Sequence, residues 1–99
     1  MPSRPTHRGN DDLPDLFAPA RWRNLANHLG LSHRQRQVAR HICRARSNDE
    51  IAAKLGISSH TVHMHMKCLF EKLEVRDRVG VVVRLVLADR SIPCRDGKT

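Results

Sequence analysis

The sequence predicts an all-α fold of five short helices, and three kinds of signal carry that prediction. Two capping boxes, Ser32 with Gln35 and Ser47 with Glu50, mark helix starts, where a Ser oxygen and a side chain three residues on can satisfy otherwise unpaired amides. Apolar residues recur at helical spacing, with Trp22, Leu25, Ala26 and Leu29 at i, i+3, i+4 and i+7. Gly30 and Gly56 stand where such runs stop, each able to take the left-handed conformation that closes a helix.

In chain order, residues 1–18, with Pro2, Pro5, Gly9, Asn10 and Pro14, read as a flexible tail. The first helix spans 19–29. Its Trp22 either covers core left open between the other helices or belongs to a dimer or partner surface. Ser32 opens the second helix, which runs to about Arg44 and buries Val38, Ala39 and Ile42. Arg34, Arg36, Arg40 and Arg44 on its outer side face either solvent or phosphate, and one or two of them are expected to meet phosphate.

The third helix starts at Ser47, carries Ile51, Ala52 and Leu55 as its apolar stripe, and ends at Leu55. Gly56 closes it while Ile57 folds back, and Ser58 caps the next helix at once. So short a connection forces a steep angle between the two helices, and small Ala52 and Ala53 permit close approach at the corner. The fourth helix, about Ser59 to Leu73, gathers Val62, Met66, Leu69, Phe70 and Leu73 on one side. The opposite side carries His60, Met64, Lys67, Cys68 and Glu71, flanked by Thr61, His63, His65 and Lys72. Donors dominate this outer side in its first two turns, and Lys and His suit phosphate and guanine acceptors. Residues 47–75 thus have the layout of a helix-turn-helix whose second helix presents a polar face to DNA.

The fifth helix, about Asp77 to Asp89, carries two apolar stripes. Val79, Val82, Val83 and Val86 are assigned to the core, and Val81, Leu85 and Ala88, nearly opposite, to a second partner. The rival reading has Val81 and Leu85 pack under the first helix instead. Residues 91–99 read as a second tail.

Ninety-nine residues make one domain, here placed at 19–90, with a formal charge of +8. A basic excess of that size favours a polyanionic partner and predicts salt-dependent binding, although it also fits a merely soluble, Arg-rich protein. It gains weight because Arg34, Arg36, Arg40, Lys67, Lys72, Arg76 and Arg78 sit in and around the motif. Cys43, Cys68 and Cys94 have no metal-like spacing and read as reduced thiols in a cytoplasm. The run from Val79 to Ala88 is broken by Arg84 and too short to span a bilayer, so no membrane role is expected.

On LSHRQRQV at 31–38, SNDEIAAKLGIS at 47–58, TVHMH at 61–65 and KLEVRDRVGVV at 72–82, the chain resembles the LuxR/GerE-type helix-turn-helix domain of bacterial transcription regulators. The resemblance runs from Leu31 to about Ala88. It implies a four-helix LuxR-type bundle, here with one additional short N-terminal helix, and a dimer through the last helix. Departures from the family pattern are Gln35 for a usual Glu, His63 for a common Lys or Arg, Cys68 for a frequent Asn, and Glu74 for the Gly that usually precedes Val75. His63 and Cys68 lie on or near the reading face and bear on sequence preference.

The function expected is sequence-specific double-stranded DNA binding with helix 59–73 in the major groove. His60, His63, Met64 and Lys67 are expected to face bases, Lys67 as a donor to guanine and Met64 against a thymine methyl, unless Met64 and Cys68 merely fill space. Ser58, Ser59, Thr61, Lys72, Arg76 and Arg78 are expected to face phosphates. Val81, Leu85 and Ala88 form the expected dimer contact, placing two readers about 34 Å apart over an inverted repeat. RNA polymerase is a further expected partner, and the location expected is the bacterial cytoplasm, at the nucleoid.

Three rivals remain. A sigma factor's promoter-reading region has a similar motif, but the apolar last helix fits the LuxR type better. A metal-sensing switch would use His60, His63, His65 and Cys68, yet its two pairs point to different sides of the helix, so no metal or other cofactor is expected. An adaptor that kept the fold and lost DNA binding is the third. No Gly-rich phosphate loop, carboxylate pair or assembled nucleophile and base supports an enzyme. About 30 residues precede the motif, and the starting Met1 and unbroken N-terminal tail lean toward a regulator that stands alone rather than an output fragment.

Overall fold

The two capping boxes close as their sequences require. Ser32 Oγ accepts from Gln35 N at 3.2 Å while Gln35 Oε1 accepts from Ser32 N at 2.9 Å, and Ser47 and Glu50 repeat the exchange at 3.1 and 2.7 Å. Gly30 (φ 68°) and Gly56 (φ 69°) both adopt the left-handed closing conformation. Ile57 N donates back to Ala52 O at 3.0 Å, so the turn is locked by backbone bonds as well as by the apolar Ile57.

The computed structural model describes residues 16–92, and within them the chain is all-helical. The helices are α1 Pro19–Leu29, α2 His33–Cys43, α3 Asn48–Leu55, α4 Ser59–Leu73 and α5 Arg78–Ser91. Both expected tails fall largely outside the described residues, as does Cys94. α4 is the hub, packing against α2, α3 and α5, while α1 lies on α5. One core joins all five helices, from Trp22 and Leu25 through Val38, Ile42, Ile51, Val62 and Leu69 to Val81 and Leu85. Trp22 is buried in it and stacks on Phe17 with ring centroids 6.0 Å apart, which settles Trp22 as cover for the core.

The rotation of α5 departs from the sequence expectation: the stripe assigned to a partner is buried, while of the stripe assigned to the core Val79 and Val83 are exposed, Val82 packs against the core and Val86 is half-buried. Val81 and Leu85 are 0% exposed and Ala88 6%, so none of the three is available to a partner, whereas Val79, Val83 and Leu87 are 67%, 50% and 55% exposed. Of the two readings, the one that puts Val81 and Leu85 inside agrees with their burial in the common core. Its physical cause is tertiary. Arg21 on α1 pairs with the Asp89 carboxylate and donates to the carbonyls of Asp89 (2.7 Å) and Ile92 (3.4 Å), which fixes the rotation of α5 and satisfies carbonyls at its C-terminal end. At the other end a Cβ on Gly80 would lie 2.8 Å from Val75 Cβ, so that side of the helix is pressed against the preceding loop.

Candidate nucleic-acid interface

α4 leaves the α3 turn with Ser58 as its cap, Oγ accepting from Thr61 N at 3.1 Å. Its inner side is uniformly apolar and buried: Val62, Met66, Leu69 and Leu73. His60, His63, Met64 and Lys67 are all exposed, and the two methionines two residues apart divide cleanly, Met64 at 50% and Met66 at 5%. An apolar Met held half in water beside Lys and His is available for contact with another molecule.

The residues expected to face phosphates divide into available and engaged groups. Lys72 and Arg76 are exposed. Lys72 stands on the flank of α4 next to Gly30, its Nζ 3.7 Å from where a Gly30 Cβ would be. The Ser58 hydroxyl pairs with Thr61 Oγ1 at 2.9 Å, and Ser59 Oγ donates to Asp49 Oδ1 at 2.6 Å, tying the starts of α3 and α4 together. Arg78 is the clearest departure: its Nη1 donates to Arg46 O (2.6 Å) and its Nη2 to Asn48 Oδ1 (2.9 Å). It is a strut between α5 and the α2–α3 connection, so two of its donors are spent inside the molecule rather than offered to a phosphate. Among the outer Arg residues of α2, Arg36 is likewise engaged, with Leu31 O at 2.9 Å and Asn27 Oδ1 at 2.7 Å.

Beside α4 the chain forms an open cleft of about 410 Å³, lined by His63, Met66, Lys67 and Phe70 of α4, Asn48 of α3, and Arg76, Asp77 and Arg78 of the α4–α5 connection and α5. It unites four of the residues singled out from sequence, on one flank of the presented helix. Val81, Leu85 and Ala88 are buried. Asn48 and Asp49, which hold Arg78 and Ser59, were missed; their position directly after the Ser47 cap is the signal that could have found them.

Two groups at the end of α2 are held neutral. Burial, aided by the positive charges of Arg46, Lys54, Arg44 and Arg40, pushes the His41 imidazole down to about 4, and Arg46 Nη1 lies 2.7 Å from His41 Nδ1. Burial pushes the Cys43 thiol up to about 11, so it behaves as a packing residue rather than a nucleophile. Among the described residues no three His, Cys, Asp or Glu side chains come together as a metal site, and no helix is long and apolar enough to cross a membrane.

Residues 29–85 match the family described as bacterial regulatory proteins, luxR family. The chain is 33% identical over 75 residues to the putative HTH-type transcriptional regulator YhjB of Escherichia coli, covering 71% of the chain and 38% of that protein. It is 44% identical over 55 residues to the transcriptional regulatory protein UhpA of Escherichia coli, covering 56% and 28%. With the uncharacterized transcriptional regulatory protein YhcZ of Bacillus subtilis it shares 37% over 84 residues, covering 77% and 39%. The chain therefore spans well under half the length of these relatives, and no solved structure matches it. The family is one of transcription regulators rather than an enzyme class. With the matched segment taking in α2, α3, α4 and the start of α5, the chain belongs to the luxR family of bacterial regulatory proteins.

Proposed function

We propose that residues 19–90 bind double-stranded DNA sequence-specifically, with α4 entering the major groove, as the DNA-reading part of a bacterial transcription regulator acting in the cytoplasm at the nucleoid. The observation that carries this is the division of α4: Val62, Met66, Leu69 and Leu73 buried, and His60, His63, Met64 and Lys67 exposed on a chain of net charge +8. Lys67 is the residue assigned to a guanine O6 or N7, a contact of about 1–3 kcal/mol in discrimination. Met64 beside it suits a thymine methyl. Lys72 and Arg76 are assigned to phosphates, with Ser58, Ser59 and Thr61 fixing the start of the helix against the backbone. No chemistry on the nucleic acid is part of this reading; RNA polymerase is its further protein partner.

Two substitutions test the division of labour. Lys67→Ala should change which bases emerge from selection on a random duplex pool, with affinity for the original site down about tenfold or more. Lys72→Ala should leave the selected sequence unchanged, weaken all duplexes alike and lower the salt slope by about one. The opposite pattern removes the assignment.

The proposed dimer uses the stripe that the fold leaves outside: Val79, Val83 and Leu87, spaced i, i+4, i+8 on α5. A symmetric contact there would set two α4 helices one DNA turn apart, about 34 Å.

A further inference from the structure

A second basic surface lies at the end of α2. Arg40 and Arg44, one turn apart, line a cleft with Leu16 and Trp22, and Arg46 and Lys54 line an open cleft of about 340 Å³ with Glu50 and Ala53. The four charges converge on one side chain: after burial, it is Arg46, Lys54, Arg44 and Arg40, in that order, that hold the His41 imidazole down. The negative end of α2 amounts to roughly half a charge, so it accounts for one such cation rather than four. Among the described residues that line the two clefts the carboxylate is Glu50, and its Oε1 accepts from Ser47 N at 2.7 Å to close the α3 capping box.

The sequence that leads up to this surface is its complement in charge. Asp11, Asp12 and Asp15 put three of the chain's ten acidic residues within five positions, and no basic residue falls between Gly9 and Phe17. Their point of attachment is fixed: Phe17 stacks on the buried Trp22 with ring centroids 6.0 Å apart, and Leu16 lines the same cleft as Arg40 and Arg44. Asp15 directly precedes Leu16, and Asp11 stands four residues further back, a reach of about 13–14 Å from Asp15. So short a tether holds the carboxylates near the cations at an effective concentration on the order of millimolar, and weak pairing then suffices.

We propose that the acidic segment at residues 11–15 docks within its own chain on Arg40, Arg44, Arg46 and Lys54, as a strap that ties the approach to α1 onto the end of α2 and covers these cations against other polyanions. Guanidinium groups suit the task, because their planar fork matches a carboxylate with two parallel hydrogen bonds. Each exposed pair contributes little, and the strap gains from several pairs formed together by one tethered segment. Among the described residues no side chain of α4 lines either cleft, so the contact stands apart from the surface assigned to DNA.

The test is NMR and thermal melting of the full chain, comparing the parent with a variant that carries Asp11→Asn, Asp12→Asn and Asp15→Asn together. In about 0.05 M salt the side-chain Nε–Hε resonances of Arg40, Arg44 and Arg46 should shift in the variant, which should also melt about 4–8 °C lower. About 1 M salt, where the screening length falls to about 3 Å, should erase both differences. The same salt titration of the parent alone should move the three arginine resonances and the amides of residues 11–15 together, a readout that does not depend on the variant folding. Dilution of the parent should leave its resonances in place, as a contact within one chain requires. Arginine resonances that stay put in the variant and under salt, shifts that fall on Lys67 and His60 of α4 instead, or shifts that fade on dilution overturn the strap.

Discussion

Arg78 and His41 sit in one run of hydrogen bonds that joins the end of α2, the start of α3 and the start of α5. Arg78 donates to Arg46 O and Asn48 Oδ1, and the Arg46 guanidinium lies against His41 Nδ1. With a cation at that distance, the imidazole serves as an acceptor and must stay neutral. Its pKa is lowered in the fold from 6.5 to about 4, first by burial and then by its basic neighbours. The folded state therefore resists a proton that the unfolded chain takes up. The stabilisation is complete above pH 6.5 and is lost as pH falls toward 4. Melting followed between pH 7 and pH 5, above most carboxylate titrations, should show a loss on the order of 1 kcal/mol after solvent screening is allowed for. His41→Gln, which keeps an acceptor for Arg46, should flatten that window. An unchanged slope in the variant would assign the proton uptake elsewhere.

Among the elements, α4 was legible in the sequence and α5 was not. The apolar residues of α4 fall on one side only, so Val62, Met66, Leu69 and Leu73 could turn inward in a single way. α5 is apolar nearly all round, and its rotation is chosen by partners that periodicity does not contain: Arg46 O, 32 positions before Arg78, and Arg21, 68 positions before Asp89. The same reason hid the internal use of Arg78 and Ser59, whose donors look free in sequence and are taken by Arg46, Asn48 and Asp49. The turn and the caps were legible because each is settled within about ten residues. Gly80 tests the packing of α5. Alanine is favoured over glycine in a helix by about 1 kcal/mol, yet its Cβ would stand 2.8 Å from Val75 Cβ. Overpacking against that branched carbon should win. Gly80→Ala is expected to destabilise by about 1–3 kcal/mol in chemical denaturation, and a stabilised variant would show that the loop yields freely.

On the scale of the whole molecule, the presented face of α4 and the exposed stripe of α5 are separate surfaces on one core. The core uses Val81, Leu85 and Ala88, which leaves Val79, Val83 and Leu87 half or more exposed. If that stripe joins two copies, Val83→Glu with Leu87→Glu should give a monomer by sedimentation, with helical content and melting close to those of the parent. Leu85→Glu should instead unfold the chain, because it buries a charge in the core. A dimer persisting in the first variant, on or off DNA, would move the contact elsewhere.

The central claim is that α4 offers its outer side to duplex DNA and its inner side to the protein, and Met64 and Met66 report on the two sides separately. With 13C-methyl methionine labelling and titration with a selected duplex, the Met64 methyl resonance should shift and gain protection from solvent. The Met66 resonance should stay nearly where it was. A duplex that binds while Met64 remains unmoved, or that shifts Met66 instead, would contradict the account.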